Sequence, residues 1–238
     1  VALHPIAADG SLGAMSDFRQ HEGSSVNVKR QQGPHAHSIN VDPSNRFALC
    51  ADLGLDQVII YELDLDNGKL KDHAAAAVTP GAGPRHLAVH PRRQQAYVIN
   101  EMSNTITAFD WDETAGALRE IQEISTLPEH FTDTTHTADI HITPDGRFLY
   151  GSNRGHNSIA MYGVDDRGRL TGIGHQQVPA NPRNFTLSPD GGYLYSGGAN
   201  DNSVPVYRIG ADGLLTATGH ALQTPSPVCL KFLPQSRR

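Results

Sequence analysis

An all-β fold of repeated four-stranded antiparallel units is what this sequence predicts, on three observations. Proline recurs at 43, 91, 144 and 189, each time after an alternating apolar run and before a turn, so the copies lie 48, 53 and 45 residues apart. A fifth, incomplete copy, Val228-Cys-Leu-Lys-Phe-Leu-Pro234, follows 45 residues later. Turn formers are abundant, with 23 glycines and 15 prolines, and hydrophobic residues make up only 38%, as many short strands joined by tight turns require. No long helical period competes. A short helical turn is expected only near residues 74–77.

Each unit reads as four strands in order. Strand a is the alternating run before the proline, as in Leu87-Ala-Val-His90. A Pro-Asp-Gly type of turn leads into strand b, expected at 47–50, 96–99, 148–151 and 193–196. A polar loop follows, then strand c at 58–62, 105–109, 158–162 and 203–207. A second turn carries Asp and Gly, and a weaker strand d is placed near Leu70, Leu118, Leu170 and Leu214. One such meander cannot bury both of its faces, but stacking the units around an axis does so, which is the logic of a β-propeller. The blades are placed at 33–82, 83–133, 134–180 and 181–224, with a blade tail at 1–32 and a terminal strand within 225–238. In the tail, Asp9-Gly10 matches the second turn and Leu12 takes the place of Leu70. About five blades do not form a natural ring with these ends. The chain is therefore expected to be the C-terminal part of a larger propeller, with an open edge that invites association.

Charge and composition exclude several functions. With 19 Lys and Arg against 25 Asp and Glu, the formal charge is −6, which opposes a broad nucleic-acid footprint. No apolar run approaches the roughly 18 residues of a membrane helix. Cys50 and Cys229 stand far apart without CxxC spacing, so neither a disulfide framework nor a thiolate metal site is expected, and a reducing, cytoplasmic setting fits. The sequence begins Val1-Ala-Leu-His-Pro5 with no signal peptide visible. It lacks a phosphate-binding GxxxxGK[ST] loop, a dinucleotide GxGxxG motif, a GxSxG elbow and an EF-hand spacing.

Strand direction alone locates the candidate chemistry. In an antiparallel meander the start of a, the end of b, the start of c and the end of d share one face, and strand a lies nearest the axis. Residues just before strand a and in the b–c loop therefore crowd one mouth of the hub. Those positions hold His35 and His37, Arg85 and His86, His136 and Asp139, Arg183 and Asn184, then Asp52, Asn100 and Glu101, Asn153 and Arg154, and Asp201. They differ between copies while the strands stay alike, which points to one site built across several blades. Gly33-Pro34 and Gly83-Pro84 are read as backbone devices. His35 is read as a rim residue, and His90, just before Pro91 on the opposite face, as structural. His141, alternating within strand a, is read as a satisfied core histidine. Nearby arginines oppose a cation, so no metal and no cofactor is expected.

Gly83-Pro-Arg85-His86-Leu-Ala-Val-His-Pro91, Val98-Ile-Asn100-Glu101, His136-Thr-Ala-Asp-Ile-His-Ile-Thr-Pro144 and Ser152-Asn-Arg154-Gly-His156 together resemble the bacterial seven-bladed propeller lactonase family. That family includes cycloisomerase-type 6-phosphogluconolactonases and carboxy-cis,cis-muconate cyclases. The resemblance implies a lactonase acting on a small anionic lactone, most simply 6-phosphogluconolactone in the pentose phosphate pathway. It carries the family's active-site positions onto His37, Arg85, Glu101 and Arg154. His86, Asn100, Asn153 and Arg183 follow as substrate contacts. Lactone opening needs a proton acceptor for water, here His37 or Glu101, and cations for the oxyanion and the anionic tail, here the arginines. A lactonising cyclase and a non-catalytic binding scaffold are the competing readings.

Overall fold

The computed structural model describes residues 1–233 and is all-β. Four four-stranded antiparallel sheets follow one another along the chain. The first comprises β3 (Ala36–Val41), β4 (Phe47–Asp52), β5 (Gln57–Asp64) and β6 (Lys69–Ala77). The second comprises β7 (Pro84–Val89), β8 (Gln95–Asn100), β9 (Thr105–Asp112) and β10 (Ala117–Ser125). The third comprises β11 (His136–Ile142), β12 (Phe148–Arg154), β13 (Ser158–Val164) and β14 (Leu170–Gln177), and the fourth β15 (Pro182–Leu187), β16 (Tyr193–Gly198), β17 (Ser203–Ile209) and β18 (Leu215–Gln223). A two-stranded piece, β1 (Ala2–Leu3) with β2 (Asp17–Phe18), precedes them and pairs as the end of a c–d hairpin.

Packing follows from alternation. Successive residues of a strand face opposite sides of the sheet, so β4 sends Phe47 and Leu49 toward Val98, Phe109 and Trp111 of the second sheet, and Ala48 and Cys50 toward Val1 and Leu3 of the tail. The second and third sheets share Tyr97, Ile99, Leu149 and Tyr162, and the third and fourth share Tyr150, Phe185, Leu194 and Tyr207. The innermost strands touch in order, β3 with β7, β7 with β11, and β11 with β15. These are the blades of a propeller, with the a strands around the hub.

A second contact locks each blade to the next. The glycine of one blade's c–d turn lies on the first residue of the preceding blade's strand b. Gly116 meets Phe47, Gly168 meets Gln95 and Gly213 meets Phe148, each glycine with positive φ. Tyr97 and Tyr150 complete the lock by donating to the Gly168 and Gly213 carbonyls at 3.1 and 2.9 Å.

Four expectations need correction. Residues 74–77 are no helical turn, because they pair with β5 as part of β6. Strand d is as long as any strand in the fold, reaching nine residues in β6, β10 and β18. Leu12 does not repeat buried Leu70. It forms an isolated bridge with Ile6 and stays 70% exposed. The terminal copy forms no strand over 228–233. It runs beside β15 and β16, where the Leu230 N–H donates to Asn184 Oδ1 and Phe232 packs edge-on against Tyr195. Its Pro234 lies outside the described residues.

A methyl added at Gly213 would sit 2.3 Å from the Phe148 ring, whereas Gly10, also at positive φ, has nothing within 4 Å. Gly213→Ala should therefore cost about 2–4 kcal/mol, strain plus overpacking, and Gly10→Ala only about 1 kcal/mol. Equal losses on chemical denaturation would show that the blade-to-blade contact is not what the glycine serves.

Candidate active site at the hub

One irregularity places the site. At the start of every innermost strand the pairing register slips by one residue, between Ala36 and Ser38, Pro84 and His86, Thr137 and Ile140, and Pro182 and Asn184. Each slip is a β-bulge, which lets two consecutive side chains leave the normal alternation and be aimed elsewhere. The bulged residues are His37, Arg85, Ala138 and Arg183, counted back from the repeat proline. The next residues are Ser38, His86, Asp139 and Asn184, all polar. The a strands of all four sheets line a cavity of about 590 Å³ that includes His37, His86, Asp139, His141 and Asn184. At the b–c corner, Glu101 of the second blade and, one blade on, Arg154 at the equivalent position meet Arg85, which touches the cavity wall through His86.

These groups form a continuous network. Glu101 Oε2 accepts from Arg85 Nε at 2.7 Å and lies 3.0 Å from Arg154 Nη2. Glu101 Oε1 faces Arg30 Nη2 at 3.5 Å. Arg85 Nη1 donates to the Ala138 carbonyl at 2.6 Å and to His86 Nε2 at 2.9 Å. Since Nε2 must accept, the His86 ring proton sits on Nδ1 and is donated to Asp139 Oδ1 at 2.6 Å. Asp139 also receives His141 at 3.1 Å and Asn184 Nδ2 at 2.5 Å. Arg154 is held by the Thr137 carbonyl at 2.7 Å.

Charge state follows from this arrangement. Burial alone raises the Glu101 pKa, but Arg154 and Arg85 outweigh it and hold the carboxyl below its usual value. Burial would likewise raise Asp139, and its histidine partners drive it far down instead. His37 is pushed down to about 4 by burial and then by the charge of Arg85, with Glu101 opposing. It is therefore neutral at neutral pH, and its ring makes no hydrogen bond among the described residues. Arg85 and Arg154 are lowered by burial, with Arg154 and Arg183 respectively adding repulsion. Three arginines contact one glutamate here, with Arg183 near two of them, in a chain whose formal charge is −6. The site is a local cationic well, fit to hold an anion.

Of the residues singled out by sequence, His37, Arg85, Glu101, Arg154 and His86 come together, and exposed Arg183 stands near enough to repel Arg85 and Arg154. Asn100 and Asn153 do not join them. Both are fully buried in the blade walls. Asn100 Nδ2 is spent on Thr105 and Thr107 of strand c, and Asn153 on Ser158 of strand c and on Thr126 of the connection from the preceding blade. His90, as expected, caps the opposite-face turn by accepting from the Arg92 N–H. His141 is satisfied by Asp139 but is only half-buried and lines the cavity. Sequence reasoning passed over Asp139 as the organiser of the histidines, although it occupies the same repeat position as His86. It missed Arg30, which comes from a connection with no repeat counterpart. No group of three or more His, Cys, Asp or Glu with metal-site geometry occurs among the described residues, and none of them forms a helix able to cross a membrane.

A family model described as lactonase, 7-bladed beta-propeller matches residues 1–232. A 6-phosphogluconolactonase of Bacillus subtilis is 39% identical over 187 residues, covering 78% of this chain and 53% of that protein. One from Yersinia enterocolitica is 40% identical over 157 residues, covering 65% and 47%. The chain thus spans about half the length of the curated relatives it matches. Among solved structures, a protein from Lactobacillus plantarum superposes with TM-score 0.93 at 32% identity, covering 98% of this chain and 68% of that one. The periplasmic gluconolactonase of Pseudomonas aeruginosa superposes with TM-score 0.90 at 29% identity, covering 98% and 66%.

An NMR titration of His37 should give a midpoint near pH 4 in place of the ordinary 6.5. Between those values the unfolded chain binds a proton that the folded chain refuses. This contribution to stability is thus complete above pH 6.5 and lost as pH falls toward 4. Arg85→Gln should move the midpoint up, and an unchanged midpoint would assign the depression to burial alone.

Proposed function

The chain belongs to the seven-bladed β-propeller lactonase family, and we propose that its hub hydrolyses a small anionic sugar lactone, 6-phospho-D-glucono-1,5-lactone, to 6-phosphogluconate. The observation that carries this reading is the Arg85–Glu101–Arg154 clamp beside a neutral, unengaged His37. The relatives named 6-phosphogluconolactonase support it. A cytoplasmic setting accords with a sugar phosphate and with the unpaired Cys50 and Cys229.

In the proposed reaction His37 takes a proton from water as the water oxygen attacks the lactone C1. Glu101 is the poorer base, because its carboxylate is already shared among arginines that stabilise the charged form. Its role is to hold Arg85 and Arg154 in place. Arg85 Nη2 and Arg154 Nη1, uncommitted among the described residues, are the donors for the oxyanion that develops at C1. Collapse of that intermediate breaks the C1–O5 bond, and the imidazolium of His37 returns its proton to O5. The product acid ionises at neutral pH. An incoming dianion offsets the arginines that depress His37, so substrate binding itself makes the base stronger.

Hydrolysis of 6-phosphoglucono-1,5-lactone should fall roughly 100-fold or more in Arg85→Ala, and by a comparable factor in His37→Gln. Wild-type rates in Arg85→Ala would overturn the oxyanion role, and preferential turnover of a carboxylated muconate would replace hydrolase with cyclase.

A further inference from the structure

The connections between sheets are unequal. Residues 78–83, 126–135 and 178–181 join successive blades, but residues 19–35 form a much longer strap between β2 and β3. The strap is firmly seated on the first blade. His21 bridges Asp52 and Tyr61 at 2.5 and 2.7 Å. Ser25 donates to Asp56 at 2.6 Å. Buried Gln31 donates to the Leu53 carbonyl at 2.8 Å, and the Asp52 carboxylate accepts from the His35 N–H at 2.8 Å. Gly54 lets the strap backbone come close, since a Cβ there would stand 1.9 Å from the Gly33 carbonyl oxygen. Within the strap Asn27 closes a turn, accepting from the Lys29 and Arg30 N–H groups on its side chain and from Gln31 on its carbonyl.

That turn presents Arg30 to the hub. Its guanidinium reaches Glu101 at 3.5 Å, the longest of the three arginine contacts to that carboxylate, and its side chain is 45% exposed while those of Arg85 and Arg154 are 5% and 16% exposed. Arg85 and Arg154 are pinned by backbone carbonyls as well. Arg30 has no second anchor of that kind among the described residues. It is a cation on a fixed backbone with an exchangeable side-chain partner.

On the reading that the hub opens an anionic lactone, we propose that Arg30 is the specificity residue for the substrate's distal anionic group. Arg30 leaves its long contact with Glu101 and pairs with the phosphate through two guanidinium N–H groups, while the buried arginines remain on the carboxylate and serve the reacting carbonyl. A planar, bidentate donor suits a phosphate better than a carboxylate-free sugar, which offers nothing of equal charge. The strap supplies a basic group whose side chain is more exposed than those the strands bring to Glu101.

Isothermal titration calorimetry with the product 6-phosphogluconate and with D-gluconate reads this without turnover. Arg30→Gln should weaken 6-phosphogluconate about tenfold or more and D-gluconate by less than twofold. Lys29→Gln, which removes the same charge from the adjacent exposed position, should shift neither ratio. In kinetics, the preference for the phosphorylated lactone over glucono-1,5-lactone should collapse by the same factor, mainly through KM, with partial rescue in Arg30→Lys. Equal losses for both ligands, or a Lys29→Gln effect matching Arg30→Gln, would overturn the assignment. Failure of the wild type to turn over either lactone, with binding selectivity still dependent on Arg30, would instead remove the lactonase reading and leave the anion site.

Discussion

Each sheet in this chain is a slab with two apolar faces, and everything else follows from the need to cover both. Phe47 and Leu49 face one neighbour while Ala48 and Cys50 face another, so no blade is complete alone. Covering both faces forces the sheets to fan around an axis with β3, β7, β11 and β15 innermost. The hub is then lined by four copies of the same strand. Bulges at the start of each copy turn two residues per blade toward one mouth, and the blades differ there and at the b–c corner, where one carries Glu101 and the next Arg154.

The consequence is electrostatic. Stacking brings Arg85 and Arg154 from adjacent blades together with Arg30 and Arg183, an arrangement that like-charge repulsion opposes. Glu101 offsets part of that repulsion by bridging the two buried guanidinium groups. Asp139 holds His86 and His141 in place by facing both rings. What remains is an excess of positive charge in a partly desolvated cleft, and a histidine held neutral by burial and then by that charge. An anionic ligand relieves both conditions at once. The site is thus organised before substrate arrives, which lowers the reorganisation that catalysis must supply.

Much of this was legible in the sequence, because repeat architectures write their period directly into it. The prolines at 43, 91, 144 and 189 gave the blades, and strand direction gave the face on which His37, Arg85, Glu101 and Arg154 meet. The bulges were not legible, since one extra residue in a short alternating strand leaves no compositional mark. Asp139 and Asn184 were placed at the mouth beside His86, but the bulge that puts all three on one level, and so the hold of Asp139 on His86 and His141, was not readable. Asn100 and Asn153 were misplaced because an amide at the end of strand b looks the same whether it faces the hub or braces a turn. Strand d looked weak because its polar and alanine-rich outer residues hide a long ladder interrupted by one register shift, and residues 74–77 looked helical for the same reason. Arg30 lies in a segment with no repeat partner, so comparison between copies could not reach it.

The central claim is that the Glu101-bridged arginines and His37 form one anion-binding hub. A crystal structure of the protein soaked with 6-phosphogluconate tests it most directly. The account predicts the sugar in the hub cavity with its carboxylate against Arg85 and Arg154 and within reach of His37. Density for the ligand elsewhere, or an occupied hub in which those arginines turn away from it, would contradict it.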